Sequence, residues 1–339
     1  DACIYVHREK GWLFVICPTG FYRSKDKGET FEKLSDEMFT FGDCIRSYPD
    51  RIYATTQKGL LVSYDCGDNF TYIESSTFPD GWPSALRVSP VNPDLMVMQD
   101  DRLTACGSWS MPVYYTADGG KTWAQSERNA EASWVPANDD QTKFYWSPVE
   151  EKKVLITWCF ICASTDGGKT FVWQNAGYNG LCPGGKICWN VNDPNYMEIS
   201  SQDYNGGYTT DAGKTWNYVC WSGYRWGGWT YGGYTFNDDV TFCGLADRMF
   251  GETKLAVTRD GGSIDNAAVN TKRCIFVDVC AVNKNHITVC GQSDAADGQS
   301  GNGCNNGRCL KNTVDEKLNR SVHVGQGRAS YSALSICAK

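Results

Sequence analysis

Four segments carry an aspartate at a comparable position in the chain, and aspartates that converge can perform acid–base chemistry. The segments are VMQDDRL, ISSQDYNGGYTT, CGLADRMFG and CGQSDAADG, and their aspartates are Asp100 (or its neighbour Asp101), Asp203, Asp247 and Asp294. Two carboxyl groups in one cleft shift each other's pKa, so that one stays protonated as an acid while the other ionises as a base. Glycosidases use such a pair, and Asp203 and Asp247 are the candidates for it here. The alternative is that each aspartate caps its own turn beside a glycine.

An aromatic segment, residues 221–234, is the second feature that could bind a ligand. Its fourteen positions hold six Trp or Tyr residues and five glycines. Aromatic rings offer flat apolar faces to sugar C–H groups, and indole N–H and phenol O–H groups can bond hydroxyls. The alternative is a packed loop in which glycine lets the rings fit closely. The first interpretation predicts a ligand-binding surface made of Trp221, Tyr224, Trp226, Trp229, Tyr231, Asp100 and Asp294.

A short motif, S/T-x-D-x-G-x-T/N-F/W, recurs along the chain and indicates the elements that position these residues. We call it the box; its aspartates are Asp26, Asp65, Asp118, Asp166 and Asp211, and a shortened sixth copy holds Asp260. Successive aspartates are 39, 53, 48, 45 and 49 residues apart, and a mean of about 47 fits one four-stranded blade. The sequence therefore predicts an all-β fold. We expect a single β-propeller domain over 1–339, with about seven four-stranded antiparallel blades and a ring closed by the terminal strands.

The residue types of the box predict a structural role. An Asp carboxylate can accept hydrogen bonds from backbone N–H groups two or three residues on, which stabilises a tight turn. The glycine supplies the positive φ that such a turn needs, and the final Phe or Trp is expected to be buried in the blade. The box aspartates are therefore poor catalytic candidates.

Six spaced boxes resemble those of the Asp-box (BNR-repeat) β-propeller superfamily over nearly the whole chain. That superfamily includes sialidases, xyloglucanase-type endoglucanases, sortilin-like receptors, photosystem assembly factors and phage tail proteins, and the fold alone does not choose among them. Residues 201–208 are similar to the D-x-G-G-x-Y/F turn that carries a catalytic Asp in xyloglucanase-type enzymes, with one extra residue after Asp203. Asp247 resembles the second such turn less well. The Arg-Ile-Pro segment of sialidases is absent from the sequence.

Composition excludes several other classes of function. The net charge is −7 and no run of Lys and Arg suggests a nucleic-acid partner. The apolar runs are too short to span a bilayer. Only three histidines are present, in no protease-like grouping. No cofactor is expected, and no metal is expected either.

The 17 cysteines are an odd number, so at least one has no partner within the chain. The loop pairs Cys182–Cys188 and Cys304–Cys309 are expected to form disulfides in an oxidising compartment. Cys159-x-x-Cys162 lies in a strand-like run, where residues three apart point to opposite faces, so it does not predict a metal site.

The sequence favours an extracellular or virion-surface propeller that binds a carbohydrate or glycoconjugate as an adhesin, tail or receptor-like module. An endo-acting glycoside hydrolase of xyloglucanase type is the alternative. A structural self-assembly protein, with its aromatic loops buried against neighbouring copies, is the second alternative. A homo-oligomer or larger assembly is compatible with each.

Overall fold

The computed structural model describes the first half of the chain almost continuously and the second half mainly through its strands. The ranges are 2–7, 9–100, 112–128, 143–157, 161–177, 187–189, 194–199, 207–218, 233–235, 242–246, 252–258, 264–265, 271–272, 274–283, 286–293, 308–315 and 325–328. These residues form strands, turns and irregular loops. Within those ranges, no helix has the length and apolar character needed to cross a membrane.

The chain divides into two compact units, and the first spans Asp1–Gln174. It contains four sheets of consecutive antiparallel strands. The first sheet is β1 (Cys3–His7), β2 (Trp12–Cys17), β3 (Gly20–Ser24) and β4 (Glu32–Ser35). The second is β5 (Phe41–Asp43), β6 (Ile52–Thr56), β7 (Gly59–Ser63) and β8 (Thr71–Ile73). The third is β9 (Pro83–Val88), β10 (Met96–Asp100), β11 (Val113–Thr116) and β12 (Ala124–Gln125). The fourth is β14 (Lys143–Trp146), β15 (Val154–Thr157), β16 (Ile161–Ser164) and β17 (Thr170–Trp173). A short strand before it, β13 (Glu127–Arg128), pairs in parallel with β17.

The second unit spans Asn175–Cys337 and repeats the same pattern in three sheets. The fifth sheet is β18 (Ile187–Trp189), β19 (Met197–Ile199), β20 (Gly207–Thr209) and β21 (Asn217–Tyr218). The sixth is β22 (Gly233–Thr235), β23 (Phe242–Ala246), β24 (Glu252–Thr258) and β25 (Ile264–Asp265), and β26 (Thr271–Lys272) also pairs with β24. The seventh is β27 (Cys274–Asn283), β28 (His286–Ser293), β29 (Arg308–Asp315) and β30 (Gly325–Arg328).

The prediction of an all-β chain built from four-stranded antiparallel sheets is confirmed. Within the first unit, β5 lies beside β1 and β9, and β9 lies beside β14. Within the second, β22 lies beside β18 and β27. The first strands of successive sheets are therefore neighbours, as they are in blades arranged side by side. A ring of about seven blades, closed by its termini into one domain, stays a prediction.

Alternate side chains of one strand pack against different sheets, because successive residues of a strand point to opposite faces. In β10, Met96 and Met98 join a buried cluster with Leu60 and Val62 of the second sheet. Val97, between them, joins another cluster with Phe144 and residues of the fourth sheet. Both faces of the third sheet are thus covered, which is why its central strand is apolar at consecutive positions.

Each described box is held by the same hydrogen bonds. In the third sheet, the Thr116 hydroxyl donates to Asp118 Oδ1 (2.8 Å) and accepts from the N–H of Gly120 (3.0 Å). Asp118 accepts from both the N–H (2.9 Å, to Oδ1) and the hydroxyl (2.6 Å, to Oδ2) of Thr122. The main donor is therefore four residues beyond the aspartate, not two or three as the turn chemistry suggested. Asp26, Asp65, Asp166 and Asp211 make the equivalent bonds, and Asp260 lies outside the described residues.

Of the five box aromatic residues that the structure describes, three are buried, Phe70 is partly buried and Phe31 is exposed. Trp123, Phe171 and Trp216 are buried, and the Phe70 ring packs 5.3 Å from that of Phe21 in the preceding sheet. Phe31 is instead 47% exposed, which corrects the expectation that every box aromatic points into its blade. In the first unit, the rings of Phe70, Trp123 and Phe171 pack on the preceding sheet, and the first sheet has none before it in that unit.

The glycine of the box also permits close contact between sheets. A Cβ atom added at Gly67 would lie 2.1 Å from the Phe21 ring, and one at Gly120 would lie 2.5 Å from Leu60. One at Gly168 would lie 2.5 Å from Val97. In each case the neighbour belongs to the preceding sheet, so the glycine provides both the positive φ and the space for the contact.

The described box aspartates should make the protein sensitive to acid. The hydroxyl and N–H of Thr30 stabilise the ionised form of Asp26 and lower its pKa to about 2. Burial opposes ionisation of Asp118, Asp166 and Asp211, but their box hydrogen bonds outweigh it and lower each pKa. A carboxyl with a pKa lower in the folded chain than its unfolded value of about 3.9 stabilises the fold above that pH and loses this contribution below it.

We therefore predict that the unfolding temperature falls steeply as the pH drops from about 4 to about 2. The double variant Asp118→Asn with Asp166→Asn keeps an oxygen acceptor that does not titrate in this range, so its unfolding temperature should fall less. Differential scanning calorimetry over this pH range measures both slopes. Equal slopes would show that other groups control acid unfolding.

Candidate functional site

The sequence-predicted acids, apart from Asp100, lie outside the described residues, but the strands on either side of them are described. Asp203 lies between β19 and β20, Asp247 between β23 and β24, and Asp294 directly after β28. Asp100 is the last residue of β10. Each therefore follows the second strand of its sheet, in four different sheets, as the comparison of the four segments suggested.

The strand order defines two ends of each sheet. In a sheet of consecutive antiparallel strands, the connection from second to third strand and the one leaving the fourth strand share an end. The boxes connect third to fourth strands and lie at the other end, as residues 209–216 do between β20 and β21. We call these the acid end and the box end. The aromatic residues Trp221, Tyr224, Trp226, Trp229 and Tyr231 are outside the described residues, in the connection that leaves β21 at its acid end.

Asp100 is the predicted ligand-binding residue whose surroundings are described. Its carboxylate is buried, with the residue 4% exposed, and Oδ1 accepts the N–H of Trp82 at 3.0 Å. A Cβ atom at Gly81 would lie 2.2 Å from Asp100 Oδ2. The carboxylate therefore holds the turn before β9 through a glycine that lets it approach. This is the geometry of the turn-capping alternative; a role for Asp100 in ligand binding stays a prediction.

The first strands bring together a polar group that sequence patterns did not single out. Asp43, the last residue of β5, is buried and accepts the N–H of Val88 in β9 at 2.8 Å. The guanidinium of Arg87 lies 3.9 Å from Asp43 and 5.2 Å from the centre of the Phe41 ring. Tyr5 of β1 donates its hydroxyl proton to the Gly42 carbonyl at 2.5 Å. Polar groups from three sheets therefore meet along these strands.

In this group of polar side chains, Tyr5 is neutral and Arg87 is a partly exposed cation. Burial raises the pKa of Tyr5 well above its ordinary value, so its hydroxyl stays protonated. Burial also raises the pKa of Asp43, although Arg87 and two backbone N–H groups oppose the rise. The Arg87 side chain is 35% exposed, so its guanidinium can donate hydrogen bonds to a hydroxyl or carboxylate of a bound molecule. No local motif contains these residues, because their partners are about 40 positions away in sequence.

A second group of polar side chains lies where the first and second sheets meet at their box ends. Among the described residues, His7, Asp50 and Cys66 form a group whose potential ligand atoms all lie within 4.8 Å of one another. No metal was expected from the sequence, in which Cys159-x-x-Cys162 is a pair with ligand-like spacing in a strand-like run. His7 and Cys66 belong to different sheets, so no spacing rule could relate them.

Four of the described cysteines are free thiols: Cys3, Cys17, Cys44 and Cys66. Cys162 is buried in β16 among apolar side chains. The predicted Cys182–Cys188 and Cys304–Cys309 disulfides involve residues of which no side chain is described. Both disulfides stay predictions.

Comparisons with known proteins relate the chain to propellers. The pattern of the family described as Sortilin-Vps10 (sortilin, neurotensin receptor 3) matches residues 19–157. The structure of YCF48 from Cyanidioschyzon merolae is similar with a TM-score of 0.55 and 13% identity, over 86% of this chain and 93% of that one. The structure of YCF48 bound to a D1 peptide is similar with a TM-score of 0.52 and 13% identity, over 89% of this chain and 94% of that one. The structure of an ancestral GH74 enzyme is similar with a TM-score of 0.49 and 11% identity over 98% of this chain. This chain spans only 39% of that enzyme.

At these identities the structural likeness concerns the fold alone, and the sequence matches no curated protein. The YCF48 structures match over nearly their whole length, and the Sortilin-Vps10 match covers three of the five described boxes. Both agree with the repeated box hydrogen bonds and the consecutive four-stranded sheets. The chain therefore shares its fold with Asp-box (BNR-repeat) β-propellers, and its residues 19–157 resemble the Sortilin-Vps10 family.

Proposed function

We propose that this chain is an extracellular or virion-surface propeller of about seven blades that binds glycans at the acid end of its sheets. The observation that carries the proposal is the strand order of the second unit. In sequence, the aromatic segment follows a fourth strand, and Asp203, Asp247 and Asp294 follow second strands, of sheets that are neighbours, which supports a shared site at the acid end. The boxes occupy the opposite end, where their polar groups are used in turns.

The residue types at the acid end suit a sugar. A pyranose ring presents apolar C–H faces, which stack on Trp and Tyr, and hydroxyl groups, which donate hydrogen bonds to carboxylates. Each stacked ring buries apolar area that stabilises the complex by on the order of 1–2 kcal/mol. A site of this kind needs no cofactor.

Endo-acting glycoside hydrolysis is the second candidate function. Asp203 and Asp247 follow the second strands of adjacent sheets, and residues 201–208 resemble the turn of xyloglucanase-type enzymes. Carboxyl groups about 6.5–9.5 Å apart would suit an inverting mechanism, and about 5–5.5 Å a retaining one. If the chain is a hydrolase, Asp203→Asn with Asp247→Asn should abolish the release of reducing ends and leave sugar binding intact.

A polysaccharide panel that scores retention and release separately tests the proposal. Xyloglucan, mannan, xylan and an acidic polysaccharide are offered to the purified full chain, and reducing ends are measured in the same samples. We expect retention of at least one polysaccharide without release; release together with retention would establish the hydrolase instead.

A peptide array run in parallel addresses another class of ligand, because one structural neighbour is a YCF48 protein bound to a D1 peptide. Binding to peptides with no retention of any polysaccharide would contradict the glycan proposal. Self-association that hides the aromatic segment, measured by light scattering, would favour the assembly role.

A further inference from the structure

His7, Asp50 and Cys66 meet where the first and second sheets touch at their box ends. His7 ends β1, Asp50 lies in the loop before β6, and Cys66 is inside the box of the second sheet. Asp50 Oδ1 lies 3.0 Å from His7 Nε2 and 2.9 Å from Cys66 Sγ. His7 and Cys66 are buried, whereas the Asp50 side chain is 53% exposed, so the group can be reached from solvent on one side.

The backbone holds the three ligand atoms in place. Cys66 has a positive φ of 59° and donates its N–H to the Asp50 carbonyl at 2.9 Å. The residues at the same box position in other sheets, Gly119 and Gly167, make the same backbone bond to the corresponding loop. The Cys66 thiol and the Asp50 carboxylate are therefore brought together by the fold of the box, and His7 is added from the neighbouring sheet.

The donor set and its dimensions fit a zinc-class cation. Thiolate, imidazole and carboxylate are the ligands of Zn²⁺, whereas Mg²⁺ and Ca²⁺ prefer oxygen alone. Bonds of about 2.0–2.3 Å in a tetrahedral site place ligand atoms about 3.3–3.6 Å apart. The observed separations of 2.9 and 3.0 Å need to widen by about 0.3–0.7 Å, and all three ligand atoms lie within 4.8 Å of one another.

We propose that His7 Nε2, Asp50 Oδ1 and Cys66 Sγ bind a divalent zinc-class cation, with the fourth position open to water. In the metal-free chain the Lys10 ammonium occupies this space, 2.5 Å from Asp50 Oδ1 and 3.1 Å from Cys66 Sγ. The side chain of Lys10 is partly exposed, so it can move into solvent when the metal enters.

Proton balance follows from the metal-free hydrogen bonds. The backbone N–H of Lys10 donates a hydrogen bond to His7 Nδ1 at 3.3 Å. Because Nδ1 is the acceptor, His7 carries its proton on Nε2. Metal binding moves that proton to Nδ1, at the expense of this long hydrogen bond, and releases the Cys66 thiol proton to solvent. One proton is thus released per metal bound. The bound metal connects the first two sheets and should stabilise the first unit.

Cobalt(II) titration of the full 339-residue chain tests the site, because a thiolate bound to Co²⁺ gives an intense charge-transfer absorption. We expect this band to saturate at about one equivalent in the wild type. Cys66→Ser should abolish the charge-transfer band. Cys17→Ser is the control and should leave the band unchanged, because Cys17 is another free thiol and no acid or histidine contacts it among the described residues. Lys10→Gln removes the competing ammonium and should tighten binding about tenfold.

Zinc should also raise the unfolding temperature of the wild type and of Cys17→Ser, with no rise in Cys66→Ser. The Lys10→Gln variant keeps all three ligands, and the substituted side chain is partly exposed. It therefore reports on the site even if Cys66→Ser folds poorly. No charge-transfer band in either the wild type or Lys10→Gln at 100-fold excess cobalt overturns the proposal. So does a band that persists in Cys66→Ser.

Discussion

Replacing Gly168 with alanine is expected to lower the free energy of unfolding by about 2–5 kcal/mol, because two costs add. Gly168 has a φ of +92°, a conformation that costs an L-residue about 1–2 kcal/mol. The new methyl group would also lie 2.5 Å from Val97 Cγ1. Val97 is fully buried and β-branched, so its rotation about χ1 is restricted and it cannot easily move aside. Overpacking of this kind costs about 1–3 kcal/mol.

Gly167→Ala is the matched control for this prediction. Gly167 has a similar φ of +85°, but its added Cβ would meet Leu95 at 3.5 Å, an ordinary contact. The equivalent box positions are already occupied by Lys27, Cys66 and Ala212 with φ of 62°, 59° and 63°. Only the strain of about 1–2 kcal/mol should remain. Urea titration of the full chain, followed at its first transition, compares the two; equal midpoints would contradict a role for Gly168 in contact between sheets.

Replacing both Trp226 and Trp229 with alanine should weaken glycan binding by about 30- to 1000-fold. The estimate follows from two stacked rings, each contributing on the order of 1–2 kcal/mol, at about 1.4 kcal/mol per tenfold change in affinity. Isothermal titration calorimetry with xyloglucan oligosaccharides, or with the polysaccharide retained most strongly in the panel, measures the change. The unfolding temperature of the variant should stay within a few degrees of the wild type if the rings face ligand.

Phe31→Ala with Tyr64→Ala is the control for aromatic area. Both rings are substantially exposed, 47% and 59%, and both belong to boxes, at the box ends of the first and second sheets. Their loss should leave affinity unchanged. Unchanged binding in the Trp226 and Trp229 double variant, together with a large loss of stability, would mean that the aromatic segment is packing.

The sheets and their turns could be predicted from sequence because the box is a local device. Asp118, Thr116 and Thr122 lie within seven residues, so their hydrogen bonds depend on little beyond the segment itself. The recurrence of that segment at a nearly constant spacing then indicated the four-stranded unit. The exposure of Phe31 was missed because a box aromatic depends on a neighbouring sheet, which the segment does not encode.

The polar groups between sheets could not be predicted for the same reason. Asp43 meets Val88 and Arg87 about 45 positions further on, and His7 meets Asp50 over 43 positions. Such contacts depend on how two sheets are placed side by side. Sequence comparison put the four acids at or after the end of the second strand of a sheet, but the direction in which a carboxylate points is not a property of the repeat.

Hydrogen–deuterium exchange with and without xyloglucan, or the polysaccharide retained most strongly, tests most directly whether ligand binds at the acid end. The account predicts slower exchange on binding in residues 200–206 and 219–232, which connect strands at the acid end. The box turns at 116–123 and 164–171 should exchange at the same rate in both samples. Slower exchange at the box turns, with no change in the two acid-end segments, would contradict it.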